Sequence, residues 1–287
     1  MKTCALILSF VAVATAAVVT SPFDIGVYDY HNRIGIPEAS RILKLENEII
    51  QGQSRIVGGS TTTIEAVPYL AGLLITIGLS SISMCGGSVI SDTRILTAAH
   101  CYNDGNNIAR AITIVLGSNY LISGGTRVNS VDVVTHPTYN PRTITGDIAV
   151  IRIEKITFLS TIQPVNLPGG PDAWSSIAIA SGYGITRDGE SASLVQVIRS
   201  VPLHPISNNL CRLVYGSLIK DDHLCTDGWA GRGICGGDTG GPLVFERDNE
   251  TFLLGVGSFV SARGCEALQH SGFTRVATFE DWIRSLM

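Results

Sequence analysis

The stretch Cys235-Gly236-Gly237-Asp238-Thr239-Gly240-Gly241-Pro242 decides how the rest of this 287-residue chain is interpreted. It places four glycines around one aspartate and one threonine, with a cysteine and a proline at its ends. Glycine adopts backbone conformations that other residues rarely reach, so such a loop can turn its N–H groups toward one spot. A plain tight turn is the alternative interpretation, and the sequence outside this stretch must decide between the two.

Two motifs that precede this loop supply a histidine and an aspartate. They are Thr97-Ala98-Ala99-His100-Cys101 and Gly146-Asp147-Ile148-Ala149-Val150. Histidine titrates near neutrality, so His100 could take a proton from a hydroxyl group and return it later. A carboxylate such as Asp147 could hold that imidazole in one tautomer. Taken alone, His100 could be a satisfied core histidine and Asp147 a turn residue, but together with the glycine-rich loop they predict a site for nucleophilic chemistry.

In this order and spacing, the three motifs resemble those of chymotrypsin-family serine proteases. The match continues through Arg55-Ile56-Val57-Gly58-Gly59 and Gly272-Phe273-Thr274-Arg275-Val276, so it covers essentially all of residues 56 to 287. The resemblance implies that His100 is the general base and Asp147 its orienting carboxylate. One position departs from the family, because Thr239 stands where the nucleophilic serine is expected.

The resemblance also implies an oxyanion hole made by the backbone N–H groups of Gly237 and Thr239, which a threonine leaves in place. Thr239 retains a hydroxyl, but its methyl group restricts the side-chain rotamers. Thr239 lies inside the chain, so it has no free N-terminal amine to act as a base, and His100 would have to take this role. Two hypotheses stay open: an endopeptidase with impaired acyl transfer, and a non-catalytic homologue that binds substrates, inhibitors or partner proteins. A sequencing or cloning change is a third interpretation, since serine and threonine codons can differ by one base.

The pattern of residues beyond position 55 predicts an all-β fold. Short β-branched runs are broken by Gly, Pro, Asn and Ser, and a Leu-Pro-Gly-Gly-Pro stretch at 167–171 divides the region into halves. We expect two tandem antiparallel β-barrels, each six-stranded as the resemblance implies. The predicted peptidase domain, 56–287, contains barrel one at about 56–165, barrel two at about 172–275 and a short C-terminal helix at about 278–287.

The N-terminal 17 residues have the pattern of a signal peptide. Lys2 precedes an apolar run that ends in Ala14-Thr15-Ala16, a small-x-small pattern of the kind that signal peptidase cleaves. An anchoring helix is the alternative, but the run is short for a bilayer span of about 20 residues. We expect a secreted, extracellular protein with no membrane attachment, with the gut lumen as one such location.

Six cysteines remain in the exported chain after Cys4 is removed with the signal. An even number in a secreted chain favours three disulfides. Zinc is the alternative, although no C-x-x-C pair exists and the histidines do not cluster with the cysteines. The resemblance implies the pairs Cys85–Cys101, Cys211–Cys225 and Cys235–Cys265.

Residues 18–55 are predicted to be an activation propeptide, with a helix over 38–50 where apolar residues recur at three- and four-residue steps. The resemblance implies cleavage after Arg55 by a trypsin-like protease. The freed Ile56 ammonium would then form a buried ion pair with Asp238. With all six cysteines assigned to disulfides, none tethers the propeptide, and we expect it to dissociate after activation.

The resemblance assigns the substrate pocket to Gly233, Ser258, Val260 and Ser271. Gly233 occupies the pocket base, where trypsin-like members have an aspartate, so a preference for Lys or Arg is not expected. Val260 and Ser271 stand where glycines are common and should narrow the slot. We therefore expect a neutral apolar pocket, chymotrypsin-like or narrower and elastase-like. Asn249 begins an Asn-Glu-Thr glycosylation sequon in an expected hairpin.

The composition of the chain limits the kinds of partner that the protein is expected to bind. The net charge is −4 and the basic residues are scattered, so nucleic acid is not an expected partner. The loop at 118–130 has no carboxylates, and we expect neither a metal nor a cofactor. The expected partners of a monomeric protein are protein or peptide substrates, the activating protease and protease inhibitors. The scarcity of lysine after residue 55, the propeptide and Gly233 together resemble digestive chymotrypsin-like zymogens of lepidopteran larvae.

Overall fold

The computed structural model describes residues 25–50, 62–170, 177–185, 198–261 and 263–287. The predicted signal peptide and the Arg55–Ile56 bond lie outside the described residues. Among the helices of the described ranges, none has the length and apolarity that crossing a bilayer requires.

Two antiparallel sheets, each curved into a near-barrel, make up most of the molecule. The first has the order β5-β4-β1-β2-β3-β7-β6. Its strands are β1 (Leu70–Ile77), β2 (Ser81–Ser91), β3 (Arg94–Thr97), β4 (Ala109–Leu116), β5 (Thr126–Ser130), β6 (Val133–Thr135) and β7 (Ala149–Arg152).

The second sheet has the order β10-β11-β14-β13-β12-β8-β9. Its strands are β8 (Ala178–Gly182), β9 (Arg199–Leu203), β10 (Pro205–Ile206), β11 (His223–Thr226), β12 (Pro242–Arg247), β13 (Glu250–Phe259) and β14 (Ser271–Arg275). The all-β, two-barrel prediction is confirmed. Each described sheet has seven strands and not six, because the short strands β6 and β10 add to the edges.

Three α-helices accompany the sheets: α1 (Ile36–Ile50), α2 (Asn208–Tyr215) and α3 (Val276–Arg284). The helix expected over 38–50 is α1, which continues from a π-helical turn at His31–Gly35. The C-terminal helix was expected from about residue 278. It begins at Val276 instead, following Arg275 directly from β14, and Arg275 makes no side-chain cap hydrogen bond.

The residues 25–47, which we call the N-terminal segment, pack against the first sheet. Ala39, Ile42 and Leu45 recur every three residues, so they share one face of α1, and all three are buried. Ala39 and Ile42 belong to the core cluster that fills the first barrel. The N-terminal segment is therefore packed as part of the folded molecule.

The two sheets approach each other most closely where β2 faces the glycine-rich loop. A side chain at Gly86 would place its Cβ 2.7 Å from the Cα of Gly241, so this contact requires glycine at position 86. The Gly86 N–H donates to the carbonyl of Thr239 at 2.7 Å. Backbone from the first barrel thus supports the loop of the second barrel at the junction.

The expected hairpin at Asn249 is present between β12 and β13. Asp248 and Asn249 both have positive φ, 55° and 63°, which suits a two-residue hairpin turn. Asn249 is exposed. Its glycosylation stays a prediction.

Candidate active site

His100 lies in the short 3-10 turn Ala99–Cys101 that follows β3, and the Cys85–Cys101 disulfide ties this turn to β2. Its backbone N–H donates to Asp147 Oδ1 at 2.9 Å, and its Nδ1 is 2.7 Å from Asp147 Oδ2. Both side chains are fully buried. Two contacts from one residue to one carboxylate set both the position and the ring orientation of the histidine.

Asp147 is held from the second barrel as well. The Ser258 hydroxyl donates to Asp147 Oδ2 at 2.6 Å, and the Thr274 hydroxyl donates to the Asp147 carbonyl oxygen at 2.7 Å. Burial would raise the pKa of Asp147, but the charge and hydrogen bonds of His100, together with the Ser258 hydroxyl, outweigh it and leave the pKa lowered. The carboxylate is therefore ionised in the site.

The glycine-rich loop needs the backbone freedom of its glycines. Gly237 and Gly240 have φ of +93° and +84°. A Cβ at Gly240 would also come within 2.5 Å of the Gly86 carbonyl oxygen. The Gly240 N–H donates to the Gly257 carbonyl at 2.7 Å, which ties the loop to β13. These contacts place Thr239, which is 6% exposed, at the junction of the two barrels.

Tyr30 of the N-terminal segment lies between His100 and the glycine-rich loop. Its ring meets the His100 ring edge-on, with centroids 5.0 Å apart, and its hydroxyl donates to the Met84 carbonyl at 2.9 Å. Burial raises the pKa of Tyr30, and hydrogen bonds from the Thr239 side chain and the Gly237 backbone oppose this. Within the described part of the chain, His100 Nε2 is buried and has no hydrogen-bond partner.

Asp238 precedes Thr239 in the glycine-rich loop. Its carboxylate accepts from the N–H groups of Gly184 at 2.7 Å and Cys235 at 3.0 Å, and it lines a cavity of about 210 Å³. Removal from bulk water raises the pKa of Asp238 to about 6, although the two N–H donors lower it; the charge of Glu38 adds a smaller upward effect.

The four predicted pocket residues do not surround one cavity. Gly233 lines the cavity that contains Asp238, whereas Val260 lines a second cavity of about 240 Å³. Ser258 and Ser271 are both buried. Ser258 was expected in the pocket, and its hydroxyl donates to Asp147 Oδ2. The Ser271 hydroxyl accepts from the Ile234 N–H at 3.1 Å.

Three features of the site were not identified from the sequence. The roles of Ser258 and Thr274 as partners of Asp147 depend on strand pairing that no local motif shows. The ring of Phe259, in the segment expected to line the pocket, packs against Gly272 and edge-on to Tyr215, a contact that no sequence pattern indicated. Tyr30 precedes the helical pattern of α1, so no periodicity marked it.

Cysteine pairing follows the expectation. The disulfides are Cys85–Cys101, Cys211–Cys225 and Cys235–Cys265. The first lies beside His100 and the third anchors the glycine-rich loop. No group of His, Cys, Asp and Glu suited to a metal ion occurs among the described residues. The expectation of no metal and no cofactor stays a prediction.

Two near-barrels with a histidine, a carboxylate and a glycine-rich loop at their junction define a chymotrypsin-like protein. The family model described as Trypsin matches residues 56–283. The chain belongs to this family of serine proteases.

Similar proteins come from several arthropods. The chain is 35% identical to Collagenase of Hypoderma lineatum, over 81% of this chain and 87% of that protein. It is 37% identical to Brachyurin of Leptuca pugilator, over 80% and 97% respectively. Among solved structures, one described as HL collagenase at 1.7 Å resolution matches with a TM-score of 0.72 and 34% identity, covering 80% of this chain and 98% of that one.

Proposed function

We propose that this chain is a secreted chymotrypsin-like zymogen that acts on proteins or peptides, with hydrolysis impaired because Thr239 replaces the nucleophilic serine of its family. The observation that supports this most is the double contact of His100 with Asp147, at 2.9 and 2.7 Å, beside the glycine-rich loop. A histidine held in this way has its Nε2 directed to the place where a nucleophile works.

In the proposed mechanism, Asp147 keeps the proton of His100 on Nδ1, so that Nε2 can accept one. The Thr239 hydroxyl gives its proton to Nε2 as its oxygen attacks the substrate carbonyl carbon. The backbone N–H groups of Gly237 and Thr239 stabilise the oxyanion. Nε2 then protonates the leaving amine, and a water molecule repeats the sequence on the acyl-enzyme, which releases the acid and restores Thr239.

The methyl group of Thr239 is the expected cause of slow turnover. Thr239 lies next to the Cys85–Cys101 disulfide, with Cys101 Sγ 3.9 Å from its carbonyl oxygen, and the methyl group restricts the rotation of the hydroxyl. A displacement of about 1 Å in a reacting atom can cost on the order of a hundredfold in rate. Loss of the nucleophile in a comparable triad costs roughly a millionfold, so we expect the activity to lie between these limits.

A non-catalytic homologue is the second candidate function. The observation that favours it is the buried His100 Nε2, which has no hydrogen bond to Thr239 in the described structure. Such a homologue would bind protein substrates, protease inhibitors or partner proteins through the same cleft without cutting them. Both candidate functions use the same cleft, so a measurement of catalysis is needed to distinguish them.

Activation by cleavage after Arg55 belongs to the same proposal. The Ile56 ammonium would enter the cavity beside Asp238, whose carboxylate otherwise has backbone N–H donors and a raised pKa of about 6. A cation at this position would keep the carboxylate charged. Trypsin treatment is expected to produce a chain that begins Ile56-Val57-Gly58, which N-terminal sequencing would detect. An uncut product or a different start would contradict this activation site.

For specificity we propose a neutral apolar pocket with Gly233 at its base. Uncharged side chains, aromatic or small, would fit such a pocket better than Lys or Arg. The proposed partners are protein or peptide substrates, a trypsin-like activating protease and protease inhibitors, and the proposed location is extracellular, with the gut lumen as one such place.

The deciding experiment measures peptide hydrolysis by the activated protein beside its Thr239→Ser and His100→Ala variants, after removal of residues 18–55. We expect Thr239→Ser to raise kcat at least a hundredfold, in line with the estimate of about a hundredfold for a misplaced reacting atom. Activity of the parent chain above the His100→Ala background would establish an enzyme. Turnover equal to that background, with restoration by Thr239→Ser, would establish the binding homologue.

A further inference from the structure

We propose that the N-terminal segment is a built-in inhibitory peptide that occupies the substrate cleft and stays bound without a covalent link after the chain is cut at Arg55. This inference rests on the proposed function for the cut and for the identity of the cleft. It replaces the expectation that the propeptide simply dissociates.

The first argument is the position of Tyr30. Its ring packs edge-on against His100, with centroids 5.0 Å apart, and its hydroxyl donates to the Met84 carbonyl at 2.9 Å. The Thr239 side chain and the Gly237 backbone lie close enough to the phenol oxygen to lower the pKa of Tyr30. A substrate carbonyl would need the Gly237 N–H, and its carbon would need to approach Thr239. Tyr30 therefore fills the volume that the reacting bond would occupy.

The segment also extends along the cleft on both sides of Tyr30. Upstream, Ile25 and Val27 are buried in an apolar cluster with Phe259 and Tyr215. Downstream, Ile34 and Glu38 line the same cavity as Gly236 and Val260 of the second barrel. The contact surface spans the junction of the barrels, where a substrate would have to bind.

Polar anchors fix the segment beside Tyr30. The His31 N–H donates to Asp104 Oδ2 at 2.9 Å, and His31 Nδ1 is 2.8 Å from the Ser83 hydroxyl. The Asp29 N–H donates to the Asp104 carbonyl at 3.1 Å. Fixed partners on the first barrel select one orientation of the segment.

A buried carboxylate anchors the far end. Glu46, which is 1% exposed, accepts from the N–H groups of Leu121, Ile122 and Ser123, each at 2.8 Å, and from the Ser123 hydroxyl at 2.9 Å. Successive backbone N–H groups of this kind form a preferred site for an anion. The loop at 121–123 is therefore a built receptor site for the Glu46 side chain.

The backbone conformation explains why the segment blocks the site and is not itself a substrate. Tyr30 has φ −53° and ψ −44°, and the chain continues into the π-helical turn His31–Gly35 and then α1. Peptides that add to a sheet edge bind in an extended conformation. The segment presents a side chain to Thr239, and its helical backbone keeps its peptide bonds away.

The test uses the exported chain with residues 51–55 exchanged for Asp-Asp-Asp-Asp-Lys, so that enteropeptidase cuts once before Ile56. After cutting, native mass spectrometry and size exclusion at micromolar protein measure whether the N-terminal segment stays with the domain. We expect one non-covalent complex. Tyr30→Ala and Glu46→Gln should each weaken retention at least about tenfold, as expected for buried anchor residues. Lys44→Ala, at an exposed position of α1, is the matched control and should change nothing.

Separation of the two pieces in the parent protein, or equal retention in all variants, would overturn the inference. These readouts do not depend on turnover, so they hold even if Thr239 supports no catalysis. In the Thr239→Ser background, the cut complex should be latent and gain activity on dilution, as a dissociating complex requires. Full activity while the segment is still bound would also overturn the inference.

Discussion

Ser258 shows how one hydroxyl can support the proposed base without touching a substrate. Asp147 Oδ2 receives both His100 Nδ1 and the Ser258 hydroxyl, at 2.7 and 2.6 Å. Both contacts favour the charged carboxylate, which in turn holds the imidazole in one tautomer. Ser258 is therefore a positioning residue in the proposed mechanism.

Ser258→Ala should lower kcat about tenfold in the Thr239→Ser background, since hydrogen bonds to charged groups contribute about 1.5–3 kcal/mol. KM should stay nearly constant, because Ser258 is buried behind Asp147. The acidic limb of the pH–rate profile should shift as the Asp147–His100 pair loses a donor. Ser285→Ala, exposed on the C-terminal side of α3, is the control. An altered KM with unchanged kcat would favour a pocket role for Ser258.

Asp238 predicts a pH dependence of the uncut chain. Its pKa is raised to about 6 in the folded state, above the ordinary value of 3.8, so the folded chain binds more protons between these values. Asp238 therefore lowers the free energy of unfolding as pH rises from about 4 to about 6. Asp238→Asn should remove this part of the pH dependence, as denaturant titrations at pH 4 and pH 7 would measure. If the pH dependence of stability were unchanged in Asp238→Asn, its assignment to Asp238 would be wrong.

At the scale of elements, the glycine-rich loop depends on its close approach to β2. Gly240 combines a φ of +84° with a neighbouring carbonyl oxygen that a Cβ would reach at 2.5 Å. Gly78, in the turn between β1 and β2, has a φ of +61° and open space around it. Comparing substitutions at Gly78 and Gly240 therefore separates the energetic cost of the backbone conformation from the cost of crowding.

Gly78→Ala should destabilise the fold by about 1 kcal/mol, the cost of a left-handed conformation for a residue with a Cβ. Gly240→Ala should cost about 3 kcal/mol or more, because crowding against Gly86 adds to that strain. Urea unfolding of both variants would measure the difference. Equal losses would mean that the loop can move away from β2 without cost.

At the scale of the whole molecule, each barrel supplies part of the site. His100, Asp147 and the anchors of the N-terminal segment belong to the first barrel, and the glycine-rich loop and Ser258 belong to the second. The N-terminal segment contacts both, so its release should respond to conditions that change its buried groups. His31 is the clearest of these groups.

Burial lowers the pKa of His31 to about 4; nearby His100 also lowers it, while Asp104 and Asp29 oppose this. In a released segment the pKa returns to about 6.5. The released form thus binds more protons between these values, so docking is full above about pH 6.5 and weakens as pH falls toward 4. Size exclusion of the cut complex should show more dissociation at pH 5 than at pH 8. His31→Asn should reduce this difference in dissociation between pH 5 and pH 8. If the variant shows the same difference as the parent protein, a group other than His31 causes the pH dependence.

The three disulfide pairs were implied by the family resemblance. Local patterns in the sequence were sufficient for the all-β class, the helix α1 and the motifs around His100, Asp147 and Thr239. These features repeat at short range or belong to contiguous motifs. The strand count and the start of α3 were missed because short edge strands and a cap-free helix start leave no distinct local pattern.

The tertiary structure alone decided which distant groups meet. Ser258 and Thr274 reach Asp147 only because β13 and β14 pack behind it, and Tyr30 reaches His100 only because α1 docks its apolar face on the first barrel. The sequence by itself determined the chemical groups of the site, including the hydroxyl and the extra methyl of Thr239. The groups that surround them are brought there by contacts between distant residues, such as Asp147 with Thr274, 127 positions apart, and such contacts are set by packing of the whole chain.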